Sequence, residues 1–312
     1  MIQTSINLPD DKWWLEEQPE RPPMPCFEGL DKITVIEALR RDVDEGKVEI
    51  VEVPSMVTQV IDLLNSPEWN YNQLIKLIEQ SPGMIGDFLS LANSVSFSRG
   101  VKVTDLRNAM PRLGKDAIKA ILFVNLGKMF TPKDPLLRKV AQDVIDHSMA
   151  VGRIASFLST RVKIDPNSAF LAGTLHDIGK LALLKHVASH YKLPKDPAIV
   201  PHESLFAEIF SQIHEEAGRV VCQRWGLEPD IQAAIGFHHF FKPLAQGQES
   251  KRYLHLAALV NLADIIVRIL GKGMPHPPCD LFKTLPAKVI GLEYTDTTKI
   301  FFAKIPALVQ QD

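Results

Sequence analysis

The stretch AFLAGTLHDIGKLALL, Ala169 to Leu184, sets a histidine and an aspartate at the end of a helix that is otherwise mostly Ala, Phe and Leu. A carboxylate such as Asp177 in that setting costs several kcal/mol to bury unless it finds a partner, or it is forced neutral. The same oddity recurs on both sides of the run. Upstream, a helix over Leu136 to Leu158 has the buried stripe Val140, Val144, His147, Val151, Ile154 and Leu158, spaced by three and four, with a histidine inside it. Downstream, His214 follows Phe206, Ile209, Phe210 and Ile213 on a helix over Glu203 to Trp225. His238, with His239 beside it, follows Ile231 and Ile235 on a short helix over Asp230 to His239. Asp264 is the only acid in the apolar helix His255 to Leu270.

One arrangement satisfies all of these groups at once, a shared metal centre. Five histidines and two aspartates suit borderline or hard divalent ions such as Fe, Mn, Mg or Zn. A structural zinc site needs only four ligands, usually with cysteine. Seven candidates from five helices fit instead a site for one or two ions with an activated water, as in phosphate-ester hydrolysis. Each residue alone also has a plainer reading. A lone histidine such as His147 is more often a hydrogen-bonded core residue, and Asp264 serves equally as a turn cap or an arginine partner. His186, His190, His202, His255 and His276 fit no such pattern and read as surface or core histidines.

Around this centre the chain organises as an all-α, two-lobed helical bundle. Residues 1–30 form an extended arm or a partly ordered tail, with Trp13 and Trp14 followed by Pro19, Pro22, Pro23 and Pro25. As an arm, its tryptophans would fold back onto the body or a neighbouring subunit. A first helical lobe covers residues 31–134. Its apolar stripes are Val57, Val60, Ile61 and Leu64, then Leu74, Leu77 and Ile78, then Ile85, Phe88, Leu89 and Ala92. Leu106, Ala109 and Leu113 make a fourth helix ended by Gly114, and Ala117 to Met129 a fifth. The lobe carrying the metal site covers residues 135–275, and residues 276–312 are a tail packing on the body. The lobes are expected to meet near Pro132 to Pro135. The net charge of -2 provides no basic field for nucleic acid or an anionic membrane. The apolar stretch His255 to Leu270 is too short and polar to span a bilayer. Cys26, Cys222 and Cys279 stand far apart, which reads as a reducing, cytoplasmic setting.

The order H, HD, H, HH, D resembles the ligand series of the HD-domain phosphohydrolases, especially their cyclic-dinucleotide phosphodiesterase branch. The flanking sequence is more similar to the HDOD branch: HSMAVGRIASFLS at His147, AFLAGTLHDIGKLALL at His176, HEEAGRVVCQRWGLEPDIQAAIGFHH from His214 and HLAALVNLADIIVR around Asp264. The first lobe agrees, through VPSMVTQVIDLLNSPEWNYNQLIKLIEQSPGMIGDFLSLANS and DLRNAMPRLGKDAIKAILF. The resemblance runs from about Val53 to Arg268. It implies that His147, His176, Asp177, His214, His238, His239 and Asp264 are metal ligands, with Asp177 bridging. It further implies that Lys180 faces a phosphate as a point charge, so that Asp177 and Lys180 are the catalytic pair, and that Gly218 lets helices approach beside the site. Asp143, one turn before His147, is either an extra ligand or a solvated acid.

The chain departs from the phosphodiesterase branch after its paired histidines. Phe240, Phe241, Lys242, Pro243 and Leu244 stand where that branch has an acid and a Gly-Tyr-Pro loop, so cyclic-dinucleotide hydrolysis is not inherited. HDOD proteins are mostly regulatory and often lack ligands, whereas this chain keeps the full set. Three functions compete: a bacterial signalling or scaffold module acting through other signalling proteins, an active phosphohydrolase or phosphodiesterase on a nucleotide or other phosphate ester, and a sensor that binds a nucleotide without cleaving it. Oligomerisation is compatible with all three. An open, electropositive cleft over Lys180 favours catalysis. A site sealed by Phe240, Phe241 and the first lobe favours structure.

Overall fold

The computed structural model describes Trp14 and residues 32–94, 97–98, 100–133, 135–190, 203–245 and 250–309. Within them the fold is all-α, with no strand. The first lobe contains α1 (Lys32–Asp44), α2 (Ser55–Asn65), α3 (Tyr71–Ile78), α4 (Pro82–Asn93) and α5 (Leu106–Lys128). Their starts follow from capping. Asn70 and Asp105 accept backbone N–H groups of Gln73 and Asn108, and Pro82 opens α4 where no N–H is required. Gly114 leaves helical geometry at φ 77 and ψ 172, so α5 is two helical segments that meet at a kink there, where the sequence spacing expects the first of them to end.

The second lobe contains α6 (Pro135–Val162), α7 (Pro166–Leu175), α8 (Ile178–His190), α9 (Glu203–Arg224), α10 (Pro229–Gly236) and α11 (Ser250–Ile269). The segment after α11 folds into α12 (Leu285–Val289), α13 (Asp296–Phe302) and α14 (Ile305–Val309), which pack on α11 and α6. The paired histidines do not sit on a helix as expected. Helix α10 ends at Gly236, because Phe237 leaves helical geometry at φ -141 and ψ 20, and His238 and His239 occupy the loop after it.

The lobes meet over a broader surface than the Pro132 to Pro135 connection. Helix α5 packs on α7, and α1 on α9. Phe123 stacks on Trp225 at 5.3 Å, whose indole N–H donates to the Val51 carbonyl. Lys119, buried, pairs with Glu228 at 2.5 Å, and buried His186 bridges the Asp42 carboxylate and the Glu49 N–H. His186 is thus a core histidine tying the lobes together.

Trp14 is 2% exposed and meets Phe282, Tyr294 and Phe302 edge-on, while its carbonyl accepts the Cys279 N–H. Trp13 lies outside the described residues. Burial of an indole that size makes Trp14→Ala expensive, about 3–5 kcal/mol. Urea unfolding should register that loss, and an unchanged midpoint would mean the indole contact is dispensable.

Candidate metal centre

Three helices, one turn and one loop deliver the polar groups. His147 comes from the middle of α6. His176 and Asp177 form the two-residue turn between α7 and α8, and His214 lies in mid α9. His238 and His239 follow α10, and Asp264 projects from α11. All except His239 are buried. The close approach that brings them together depends on small residues. A Cβ on Gly179 would lie 2.0 Å from the His214 carbonyl oxygen and 2.5 Å from the Gly218 nitrogen, so α8 and α9 touch backbone to backbone beside the site.

The side chains converge. His147 Nε2 is 3.1 Å from Asp264 Oδ1 and 3.6 Å from Asp177 Oδ2, and His176 Nε2 is 3.2 Å from Asp177 Oδ2. On the other oxygen, Asp177 Oδ1 is 3.5 Å from His214 Nε2 and 3.9 Å from His238 Nε2. Three overlapping triads, His147–His176–Asp264, His176–Asp177–His238 and His214–His238–His239, each place their donor atoms within 4.8 Å of one another. The seven residues singled out from the sequence therefore lie in one small volume, with Asp177 between two groups of histidines. Lys180 Nζ sits 2.6 Å from Asp177 Oδ2. Asp264 also pairs with Arg268 at 3.3 Å, so its plainer reading holds on one oxygen while the other faces His147.

The outer nitrogens fix the tautomers. Nδ1 of His147, His176 and His238 lies 3.2, 2.8 and 2.8 Å from the carbonyl oxygens of Lys272, Gly173 and Ile235, and Nδ1 of His214 meets that of Phe210. A carbonyl only accepts, so each Nδ1 carries a proton, and in the neutral ring each Nε2 points a lone pair inward. The Nε2 atoms of His214 and His238 then face each other at 3.2 Å with no proton between them. Buried Asp177 Oδ1 has no hydrogen-bond partner among the described residues. Lone pairs of imidazole and carboxylate crowded this way fit a divalent cation. Sequence reasoning missed these carbonyls, and also Glu215, whose Oε1 accepts the His239 N–H at 2.8 Å and holds the loop.

Burial pushes His214 down to about 3, with the Lys180 ammonium adding to the effect, and takes His238 well below the usual imidazole value. His239 falls to about 4 because protein surrounds its ring even though the residue reaches solvent. Burial also opposes the His176 cation, but the adjacent Asp177 carboxylate outweighs it and raises that pKa. Burial works against both carboxylates. His176 and Lys180 nevertheless hold Asp177 well below the carboxylate range, and His147 and Arg268 do the same for Asp264.

These directions set the acid behaviour of the chelated, metal-free chain. A histidine depressed in the folded state binds fewer protons there than in the unfolded chain, where its pKa is about 6.5. Its contribution is complete above that value and is lost as pH falls toward the folded pKa. His214 and His238 each add up to about 1.4 kcal/mol per pH unit in that window, and the two depressed carboxylates extend the loss to lower pH. His176, which is raised, acts in the opposite sense and is outnumbered. Chemical denaturation between pH 7 and 4 should show stability falling with acid. A flat profile would contradict the neutral, inward-facing histidines.

Above the centre lies a cleft of about 490 Å³. Asp177, Lys180 and His239 reach it from the floor, Phe210 and Val144 supply apolar wall, and Arg268 adds a second cation. Exposed Asp143 and Asp146 stand on the rim. No described residue of the first lobe lines it. Neither Phe240, which is 61% exposed, nor Phe241, which is buried, closes it. Among the described residues no helix is long and apolar enough to cross a membrane.

The comparisons agree with this architecture. A solved structure from Shewanella amazonensis SB2B, provisionally named a metal-dependent phosphohydrolase, superposes with a TM-score of 0.66 at 18% identity, covering 89% of this chain and 99% of that one. An HDOD domain protein from Geobacter sulfurreducens, of unknown function, gives 0.63 at 23% identity over 88% and 99%. At those identities the likeness concerns the fold. An uncharacterized protein of Treponema pallidum (strain Nichols) is 22% identical over 234 residues, 73% of this chain and 44% of that protein. The chain spans less than half the length of the curated relatives it matches. The family model of the HDOD domain matches residues 50–241, well over half of the sequence, and the chain belongs to the HDOD domain family.

Proposed function

We propose that this HDOD protein is a signal-transduction module that holds one or two divalent ions at His147, His176, Asp177, His214, His238, His239 and Asp264, and receives a phosphate-bearing ligand in the cleft above them. The observation that supports it is the inward set of imidazole lone pairs around the unpartnered Asp177 Oδ1, directly beneath a cleft that also contains Lys180. Asp177 offers one oxygen to each half of the cluster, as a bridging carboxylate does. Lys180 provides a point charge for a phosphate oxygen, and Phe210 and Val144 pack against the organic part of the ligand.

A second reading, hydrolysis of a nucleotide or other phosphate ester, is favoured by the open cleft over Asp177 and Lys180. Divalent ions in such a centre supply Lewis acidity and a bound water of lowered pKa. The residues contribute position: the four carbonyl-anchored imidazoles stay oriented, and Lys180 holds the ester against the floor.

Metal analysis of purified protein, combined with a panel of phosphate monoesters and diesters, tests both readings. Bound metal with no turnover leaves the module. Turnover that Lys180→Ala abolishes while metal content stays intact supports the hydrolase. Protein that takes up none of Fe, Mn, Mg or Zn overturns both.

A further inference from the structure

The short loop after α11 touches one of the proposed ligands, His147, from outside. The Lys272 carbonyl oxygen lies 3.2 Å from His147 Nδ1. Gly273, at φ 89, lies so close to the same ring that a Cβ there would be 2.6 Å from Nδ1. One helical turn back, Arg268 grips the loop from below. Its Nε donates to the Met274 carbonyl at 2.8 Å and one terminal nitrogen to the Pro275 carbonyl at 3.4 Å, while the other meets Asp264 Oδ2 at 3.3 Å. The guanidinium therefore joins a carboxylate on α11 to the loop that orients His147 on α6. Among the described residues nothing comparable reaches His214, His238 or His239, whose outer contacts come from α9, α10 and Glu215.

We infer that Arg268 is a positioning residue that sets the affinity of only one half of the centre, the His147–Asp264 half, through the Gly271–Pro275 loop. This rests on the metal reading above. The argument is geometric. Arg268 uses three separate donors in three directions, two to carbonyls and one to a carboxylate, which the planar fork of guanidinium provides and an ammonium cannot reproduce. Groups that orient ligands from behind are typically worth about 10–100-fold in metal affinity. Because Asp264 and His147 share this support and the other histidines do not, the loss falls on one side.

Mn²⁺ binding to chelated full-length protein, followed by calorimetric titration, tests this, with the unfolding midpoint of the metal-free protein as a second measurement. In Arg268→Ala and Arg268→Lys the weaker-held or lost ion should be the one that His147→Ala also removes, by about 10–100-fold. Binding that His239→Ala removes should persist. Gly273→Ala, which pushes on His147 by a different route, should reproduce the pattern. An Arg268→Ala protein that binds Mn²⁺ as the wild type does would overturn the inference alone. So would equal weakening of all binding together with a lowered metal-free midpoint, since that marks a merely structural arginine. Wild-type protein that binds no metal at all would instead overturn the metal reading.

Discussion

Asp177→Ala is expected to strip the chain of more metal than any single histidine substitution. Asp177 is the only residue of the cluster with an oxygen toward each group of histidines: Oδ2 lies 3.2 Å from His176 Nε2, and Oδ1 lies 3.5 Å from His214 Nε2. A histidine change removes one donor from one side, whereas the alanine removes a donor from both. The substitution also acts without metal. Lys180 loses the carboxylate 2.6 Å away, and buried His176 loses the neighbour that favours its cation. Removing one member of a buried pair typically costs about 3–5 kcal/mol. Lys180 keeps some access to water, so the lower end is expected for the metal-free protein. Asp177→Asn, which keeps the volume and drops the charge, should lose metal almost as fully. Metal content by elemental analysis and urea unfolding of chelated protein measure the two effects separately. If His176→Ala or His238→Ala loses more metal than Asp177→Ala, Asp177 does not bridge.

The ligand candidates were open to a reader of the sequence, because a charged or titratable residue at a core position of an otherwise apolar helix announces itself; the bridging role of Asp177 came only as what the family resemblance implies. His147 at the right spacing in the α6 stripe, the HD pair after an Ala-Phe-Leu run and Asp264 alone in α11 were all visible that way, and so was the helical bundle that presents them. The features that escaped have no periodicity. The end of α10 at Gly236 was missed because the apolar spacing of Ile231 and Ile235 runs on into the His pair, and only the backbone at Phe237 shows the helix has stopped. Backbone carbonyls that fix tautomers belong to every residue alike, so nothing marks Gly173, Ile235 or Lys272 in advance. Arg268 lies in an apolar helix, and its role is set by contacts that have no sequence pattern. Its three partners include two carbonyls from a loop without hydrophobic pattern. Gly218 was singled out as a close-approach residue, but the tighter position is its neighbour across the crossing, Gly179, inside the HDIGK motif.

Gly179→Ala should accordingly be among the most damaging small substitutions in the chain. The added methyl on α8 meets the α9 backbone at two points, 2.0 Å from the His214 oxygen and 2.5 Å from the Gly218 nitrogen, and neither can rotate away as a side chain would. Helices α8 and α9 must separate. Adding a methyl to a well-packed interior costs about 1–3 kcal/mol, occasionally more, and a clash with main chain belongs at the top of that range. The separation also moves His214, whose own carbonyl is the atom struck, so metal affinity should fall together with stability. Gly218→Ala is expected to be milder, because its methyl would meet the Cγ2 methyl of Ile235 at 3.0 Å, and its nearest main-chain atom, the Gly179 nitrogen, lies at an ordinary 3.5 Å. Gly83→Ala, in α4 with nothing within 4 Å, should stabilise the chain by about 0.5–1 kcal/mol through helix propensity alone. Urea denaturation of the three variants ranks them directly. A Gly179→Ala protein as stable as Gly218→Ala, with metal affinity unchanged, would mean that the crossing has room to relax and that the backbone contact does not hold the metal centre in place.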